Sequence, residues 1–478
     1  MPVKTLFIAN RGEIAARIIR TARERGVKTV LGVSEADEGS YPASLADAVV
    51  VIGPAPAAKS YLNVEAVVAA AQEAGADAVH PGYGFLSENA GFAEAVEAAG
   101  LTWVGPSAET IRLMGDKSAA RETAKKAGVP VLPGTEGALP ADADPLEAAR
   151  EIGFPLMVKA SAGGGGKGIR VVRSEDELAA AVDTARAEAG SIFGDSAVYL
   201  ERFVDRARHV EVQVLGDGER FVHVGDRDCS LQRRSQKVIE EAPAPELPED
   251  VRETIRTSSV ELARATGYRG AGTVEFLYDP ASREAFFIEM NTRLQVEHPV
   301  TEMVTGLDLV AEQLRAAAGE GLSVRQEDIR LEGHALEFRL NAEDPDNGFF
   351  PSPGTVSGLA WPEGEGVRVD SGIAEGSVVA PFYDSMIAKL IVWAPSREEA
   401  IASAEEALRA TRVEGIATTV PLHLRALRTR EFASVGHWTT FLESMPAGAE
   451  AGADSANDGA GAEETDTADT DTAAEEAR

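Results

Sequence analysis

The stretch that decides the fold is Val158-Lys159-Ala160-Ser161-Ala162-Gly163-Gly164-Gly165-Gly166-Lys167-Gly168-Ile169, which is flanked by apolar, strand-like segments. Four consecutive glycines have no Cβ, so their amide N–H groups can approach phosphate oxygens, and Lys159 and Lys167 can neutralise phosphate charge. The stretch is not a Walker A loop, because Gly168 follows Lys167 where that motif requires serine or threonine. We therefore expect a strand–loop–strand hairpin that covers bound phosphate, in preference to a glycine-rich linker.

Before this loop, short apolar runs alternate with amphipathic stretches. The pattern predicts strands at residues 5–9, 29–33, 48–52, 78–80 and 102–104, and helices at 12–25, 64–74 and 92–99. Such alternation predicts an α/β fold that begins with an N-terminal Rossmann-like domain, residues 1–115, built as a parallel sheet flanked by helices.

Changes of pattern divide the rest of the chain into three parts. We predict a central domain over residues 116–330, which includes a lid subdomain at about 131–203 around the glycines, and a C-terminal α+β domain over 331–446. Residues 447–478 contain ten acidic residues and one basic residue. This acidic tail cannot bury enough apolar surface to offset its chain entropy, so we predict that it is disordered. A plain surface tail is favoured over a partner-binding segment.

The composition excludes several classes of function. The chain of 478 residues has 46 basic and 78 acidic residues, a net charge of −32, which argues against a broad nucleic-acid surface and against docking on anionic lipid. It has no apolar run of about 18 residues and no signal-peptide pattern, so we expect no membrane span. The single cysteine, Cys229, excludes an intrachain disulfide, and we expect a reducing, cytoplasmic setting.

Two carboxylates and an amide form a candidate metal site. Glu275 and Glu289 each lie in a strand-like run among valine, phenylalanine and isoleucine, and Asn291 follows the second run. A carboxylate is costly to bury in such surroundings unless it meets a cation. Hard oxygen ligands of this kind suit Mg²⁺ that bridges nucleotide phosphates, whereas a pair of salt-bridged edge carboxylates is the alternative.

The segment that follows contains candidate anion ligands and a candidate base. Arg293 offers a bidentate fork for a planar oxyanion, and Glu297 can act as a base. His298 precedes a proline, which favours extended geometry, and we expect it to be structural rather than catalytic.

Two more segments are unusually polar for their surroundings. Residues 226–237 are dense in hydrogen-bond donors and predict either an anion pocket or a solvated basic loop. In residues 334–343, strand alternation places Glu337, Arg339 and Asn341 on one face. An inward Arg339 would need an anionic partner.

Together these segments resemble the biotin carboxylase component of biotin-dependent carboxylases, which are ATP-grasp enzymes. The resemblance runs from about Lys4 to about Glu443. It is carried in order by IANRGEIAARIIR (8–20), HPGYGFLSEN (80–89), GPSAETIRLMGDK (105–117), VKASAGGGGKGIR (158–170), RDCSLQRRSQK (227–237), EEAPAP (240–245), FIEMNTRLQVEHPVTE (287–302) and FYDSMIAKL (382–390). One glycine loop would be weak evidence, whereas eight ordered matches are specific.

The resemblance implies an ATP-grasp central domain with a glycine-rich lid, a C-terminal biotin carboxylase domain, and a ligase reaction. Bicarbonate, deprotonated by a general base, attacks the γ-phosphorus of ATP and gives carboxyphosphate, and the metal and lysines offset the charge on the phosphate oxygens. Carboxyphosphate decays to CO₂ and phosphate in a closed pocket that excludes water. The phosphate takes the ureido proton of biotin, and the biotin enolate attacks CO₂.

The resemblance also implies roles for individual residues. The catalytic set is Lys237, Arg293, Glu297 and Arg339. In this set Glu297 is the general base and Arg339 stabilises the biotin enolate. Bicarbonate is held by Lys237 and Arg293 together with Gln295 and Val296. The Mg²⁺ or Mn²⁺ ligands are Glu275, Glu289 and Asn291. The ATP set comprises Lys117, Lys159, Gly163, Gly164, Gly165 and Gly166 at the phosphates, Glu201 and Val204 at the adenine, His209 and Gln232 around the ribose, and Leu277.

One position departs from the family pattern. The family usually has a histidine, associated with the nucleotide ribose, where this chain has Ser235. We expect a modest change in nucleotide affinity and no loss of chemistry.

The resemblance implies partner chains. No lysine follows Arg430, so we expect biotin on a separate biotin carboxyl carrier protein, with a separate carboxyltransferase subunit and a homodimer of this chain, as in an acyl-CoA carboxylase of fatty acid metabolism. The final carboxyl acceptor stays open. Two alternatives also stay open: another ATP-grasp ligase that joins a carboxylate to an amine, and a non-enzymatic nucleotide-binding regulator.

Overall fold

The computed structural model describes residues 3–135, 137–140, 143–160, 169–193 and 196–445. The predicted phosphate-binding glycines, Gly163 to Gly166, and the predicted acidic tail, 447–478, lie outside the described residues.

The N-terminal part is a parallel sheet with helices on both faces, which confirms the predicted fold class. Its elements are β1 (Thr5–Ile8), α1 (Gly12–Glu24), β2 (Lys28–Ser34), α2 (Tyr41–Leu45), β3 (Ala48–Gly53), α3 (Val64–Glu73), β4 (Ala78–His80), α4 (Ala90–Ala98), β5 (Thr102–Trp103) and α5 (Ala108–Gly115). The strand order is β3-β2-β1-β4-β5, with every pairing parallel. Alternation along β1 sends Leu6 and Ile8 into one hydrophobic core and Phe7 into the other.

A small antiparallel sheet carries the two ends of the glycine loop. It follows α6 (Lys117–Lys126) and α7 (Pro145–Ile152), and consists of β6 (Leu156–Ala160), β7 (Ile169–Val172) and β8 (Val198–Arg202), with α8 (Glu175–Phe193) between the last two strands. The sheet order is β7-β6-β8, and Lys159 pairs with Ile169 across the loop. The strand predicted on each side of the glycines is therefore present.

The remainder of the chain is built around long antiparallel strands. The elements up to residue 318 are β9 (Arg208–Asp217), β10 (Phe221–Arg233), β11 (Gln236–Ala242), α9 (Glu249–Ala265), β12 (Arg269–Asp279), β13 (Glu284–Asn291), α10 (His298–Thr305) and α11 (Leu309–Ala318). Those that follow are β14 (His334–Asn341), β15 (Glu343–Asp344), β16 (Phe350–Pro351), β17 (Gly354–Thr355), β18 (Gly358–Ala360), β19 (Val367–Ser371), β20 (Val378–Val379), β21 (Met386–Ala394), α12 (Arg397–Ala410), β22 (Arg412–Glu414), α13 (Val420–Leu427), α14 (Arg430–Ala433) and α15 (Phe441–Ser444).

An eight-stranded antiparallel sheet crosses the predicted boundary at residues 330 and 331. Its order is β13-β12-β9-β10-β11-β14-β21-β19, so three strands from the predicted C-terminal domain continue the sheet of the central domain. The central and C-terminal parts therefore share a hydrogen-bonded framework, and side chains from both can meet on one face of it.

Within the part of the chain that the structure describes, no helix combines the length and the apolar character needed to cross a bilayer.

Candidate active site

Four neighbouring strands bring buried charges together at the centre of the large sheet. Glu211 on β9 lies directly opposite Arg227 on β10 and, on its other side, opposite Glu275 on β12. Lys237 reaches the same place from β11. The local sequences alternate polar with apolar residues, so the strand pleat sends these side chains to one face and the valines to the hydrophobic core.

Lys237 is the hub of this cluster. Its Nζ lies 2.6 Å from Glu211 Oε2, 3.0 Å from Glu275 Oε1 and 2.5 Å from Glu297 Oε1. Burial opposes the charged ammonium, but the surrounding carboxylates outweigh it and raise the pKa of Lys237 well above its usual value. Lys237 is therefore positively charged and can bind an anion.

Glu297 lies between two cations. One carboxylate oxygen accepts from Lys237, and the other accepts from Arg339 Nη2 at 3.0 Å. Burial favours the neutral acid, but the charge of Lys237, supported by Arg339 and Arg227, holds the pKa of Glu297 below its usual value. The residue is thus ionised and able to accept a proton.

Arg339 has the anionic partners that the sequence required. Its Nε donates to Glu240 Oε1 at 2.5 Å, in addition to its bond with Glu297. Glu240 is fully buried, and burial raises its pKa to about 7 despite the charge of Arg339. The side chain of Arg339 retains 18% exposure, so it can meet a ligand that enters the site.

Arg227 organises the floor of the site. Its guanidinium is fully buried and makes five hydrogen bonds, to Glu211, Gln213, Thr273, Gln295 and Thr301. Arg227 therefore fixes the Gln295 side chain.

The predicted metal ligands face one another across two strands. Glu275 and Glu289 are direct partners of the β12–β13 pairing. Burial and the charge of Glu275 raise the pKa of Glu289, and no described residue forms an ion pair with Glu289. A divalent cation would relieve that repulsion, so the residues fit such an ion. The alternative of salt-bridged carboxylates describes Glu275, which Lys237 and His209 contact, but does not describe Glu289.

Arg293 contacts Asn291, the third predicted metal ligand. Arg293 Nη2 donates to Asn291 Oδ1 at 2.9 Å, and Arg293 Nε donates to Glu88 Oε2 at 2.8 Å. Glu88 follows β4 of the N-terminal sheet, so the N-terminal part closes this side of the site.

Three protein-family profiles match the chain one after another. Residues 2–111 match the profile described as Biotin carboxylase, N-terminal domain. Residues 116–325 match the profile described as Carbamoyl-phosphate synthase L chain, ATP binding domain, and residues 337–444 match the profile described as Biotin carboxylase C-terminal domain. Biotin carboxylase 1 of Bacillus subtilis is 51% identical over 92% of this chain and 98% of its own length, and biotin carboxylase of Pseudomonas aeruginosa is 54% identical with the same coverage. The chain belongs to the biotin carboxylase family. It is an enzyme of the ligase class, and its activity is the ATP-dependent carboxylation of biotin.

Solved biotin carboxylases have the same fold. The Campylobacter jejuni enzyme, described as a complex with β,γ-ATP, has a TM-score of 0.83 and 46% identity over 93% of this chain and 99% of that one. The biotin carboxylase domain dimer of Hydrogenobacter thermophilus 2-oxoglutarate carboxylase, described as holding MgADP, ADP and bicarbonate, has a TM-score of 0.81 and 45% identity over 93% of this chain and 98% of that one.

The residues predicted at the nucleotide lie in several places. Val204 packs with Leu132, Phe286 and Leu277 in a small apolar cluster that suits a planar base. Lys159 pairs with Glu201, so in this structure it contacts a residue predicted at the adenine. Lys117 is the exposed first residue of α6, and Gln232 donates to the Cys229 carbonyl oxygen.

The alternative of a solvated basic loop at residues 226–237 is wrong. These residues form buried β10 and the turn into β11. Ser235 is exposed at that turn, with a positive φ of 63°. His298 is buried and its Nδ1 donates to the Gln295 carbonyl oxygen at 2.8 Å, which supports a structural role.

Several residues of the site were not predicted from the sequence. Glu211 carries the same signal as Glu275, a carboxylate among valines, and could have been found by it. Lys389 also lies in an apolar strand, and its Nζ donates to the Val296 carbonyl oxygen at 2.7 Å. Glu240 lies in β11, where polar residues are common and a single carboxylate gives no signal. Glu88 lies in a segment that gives no chemical signal of its own.

Proposed function

We propose that the cluster of Lys237, Glu297 and Arg339 carries out both steps of biotin carboxylation, with bicarbonate activated first and biotin second. The observation that carries this proposal is the buried Glu297 carboxylate, held between Lys237 at 2.5 Å and Arg339 at 3.0 Å. An ionised base between two cations provides a proton acceptor and anion ligands in one place.

In the first step, bicarbonate takes a place among the cations and gives its proton to Glu297. A bicarbonate oxygen competes for Lys237, which three carboxylates share in this structure. As Lys237 turns to the substrate, its hold on Glu297 weakens, so the pKa of Glu297 rises toward its usual value and proton transfer becomes easier. Arg293 and Gln295 complete the anion pocket. The deprotonated bicarbonate then attacks the γ-phosphorus of ATP, and ADP leaves.

In the second step, carboxyphosphate breaks down to CO₂ and phosphate beside Arg339. Phosphate takes the ureido proton of biotin, and the enolate forms a bond to CO₂. Arg339 is positioned to stabilise the enolate oxygen, because its partly exposed guanidinium needs only to exchange one carboxylate partner for that oxygen.

Glu275, Glu289 and Asn291 would hold a divalent cation, which supplies charge neutralisation at the nucleotide phosphates. Lys159 and Lys117 would contact those phosphates once Lys159 leaves Glu201. The cluster of Val204 and Leu277 would hold the adenine.

We also propose the partners and the organisation of the chain. The membership of the biotin carboxylase family, shown by relatives such as the Bacillus subtilis biotin carboxylase 1, supports a biotin carboxyl carrier protein and a carboxyltransferase as partners. The description of the Hydrogenobacter relative as a dimer supports a homodimer. We further propose domain boundaries near residues 115, 330 and 446, a lid over about 131–203, and a cytoplasmic location.

The test is ATP turnover with and without bicarbonate and free biotin, in the wild type and in Glu297→Gln. Removing the base should lower bicarbonate-dependent turnover by about 100-fold or more, while calorimetric binding of ADP stays unchanged. Glu327→Gln, at a site 69% exposed, is the matched control and should behave as the wild type. Stimulation by an amino acid in place of biotin would favour another ATP-grasp ligase, and full turnover by Glu297→Gln would show that Glu297 is not the base. Nucleotide binding without bicarbonate-dependent turnover in the wild type would favour a non-enzymatic regulator.

A further inference from the structure

One face of the large sheet places a row of charges beneath the segment from Gln295 to Glu297. Lys389 on β21 lies opposite Arg339 on β14 and opposite Asp370 on β19. Because directly paired residues share a face, the three side chains lie on the same side of the sheet. Arg339 contacts Glu297, so the neighbouring Lys389 lies beneath the same segment.

Lys389 joins the N-terminal part of the chain to this segment. Its side chain is fully buried, its Nζ donates to the Val296 carbonyl oxygen at 2.7 Å, and the same atom lies 3.4 Å from Glu13 Oε2 on α1. Neither carboxylate oxygen of Glu13 has a hydrogen-bond partner among the described residues. Lys389 also lies 5.8 Å from the centre of the Tyr83 ring.

We propose that Lys389 is a positioning residue that fixes the peptide immediately before the catalytic base Glu297. The two carbonyl groups that precede Glu297 are both held: His298 Nδ1 binds the Gln295 oxygen, and Lys389 Nζ binds the Val296 oxygen. These backbone contacts do not involve the carboxylate of Glu297. When bicarbonate displaces Lys237 from that carboxylate, the backbone contacts still hold the base in place.

This inference rests on the proposed roles of Glu297 and Lys237. The alternative is that Lys389 only stabilises the fold, because it is also the counter-ion of buried Glu13. Removing one partner of a buried ion pair destabilises a protein. The two explanations predict different kinetics when Glu13 and Lys389 are replaced together. In the double variant the ion pair of Glu13 and Lys389 is removed as a whole, but the Val296 carbonyl is left without its donor.

The experiment compares the wild type, Glu13→Gln, Lys389→Met and the double variant. Each is measured for thermal midpoint, ADP affinity by calorimetry, and the KM for bicarbonate and kcat in bicarbonate-dependent ATP turnover. Glu13→Gln should retain wild-type kinetics. Lys389→Met and the double variant should raise the KM for bicarbonate or lower kcat by about tenfold or more, with ADP affinity within about twofold of the wild type, and the double variant should regain the thermal midpoint of Glu13→Gln.

A double variant with wild-type kinetics would overturn the inference, because charge balance alone would then explain Lys389. A double variant that does not fold would also overturn it, since Lys389 would then serve the fold and not the segment. Failure of the proposed function is a separate result: the wild type and Glu13→Gln would both lack bicarbonate-stimulated turnover.

Discussion

Replacing Arg227 by methionine tests how the floor of the active site is held. The guanidinium is fully buried and donates at 2.6 Å to Glu211, 2.7 Å to Gln213 and 3.0 Å to Gln295, with two further bonds to threonine hydroxyls. Methionine fills a similar volume but donates no hydrogen bond. The substitution removes one cationic partner of Glu211 and leaves Lys237 at 2.6 Å and His209 at 3.5 Å.

The magnitude follows from the loss of one partner of a buried ion pair. Removing one partner of a buried ion pair costs about 3–5 kcal/mol, and here the substitution also leaves the buried Gln213 and Gln295 side-chain oxygens without the donor that Arg227 supplies. For domains of this size each kcal/mol lowers the melting temperature by about 2–4 °C. We therefore expect the melting temperature of Arg227→Met to fall by about 6–20 °C.

Differential scanning calorimetry of the whole chain measures this change, and the urea midpoint gives an independent check. The matched control is Arg412→Met, whose guanidinium is 69% exposed and pairs with Glu414. The control should change the free energy of unfolding by less than about 0.5 kcal/mol. An equal effect of the two substitutions would refute the reasoning, since burial would then not determine the cost.

Two further predictions concern His209 and Ser235. Burial opposes the charged form of His209, but the charge of Glu275 outweighs burial and raises the pKa of His209 to about 9. A histidine whose pKa is raised in the folded state stabilises the fold fully below its pKa in the unfolded chain, near 6.5, and this stabilisation is lost as the pH rises through 9. The free energy of unfolding should therefore fall by about 3 kcal/mol more between pH 6.5 and 9 in the wild type than in His209→Gln, and parallel urea titration curves would contradict this. Ser235→His should lower the KM for ATP by about two- to fivefold, the value of one hydrogen bond, without changing kcat. Histidine tolerates the positive φ of 63° at this position. An unchanged KM would show that a side-chain contact from residue 235 to the nucleotide is irrelevant.

Local patterns in the sequence predicted much of the fold. Alternating strands and helices predicted the parallel N-terminal sheet, and the glycine loop between apolar runs predicted the hairpin of β6 and β7. These features depend on neighbouring residues, through backbone preferences and the periodicity of apolar side chains, and so they can be read along the chain. The sequence also indicated that Arg339 needs an anionic partner.

The identity of that partner was decided by the tertiary structure alone. Glu240 is 99 residues from Arg339, and the register of the eight-stranded sheet brings them together. The Val296 carbonyl is 93 residues from Lys389, and the packing of the segment after β13 on that sheet brings them together. The same holds for the protonation states, because the pKa of each buried group depends on the summed charges within a few ångströms, whatever their distance along the chain. The sequence alone determined which chemical groups are available, whereas strand register and burial determined which of them meet, since Coulomb interactions follow distance in space.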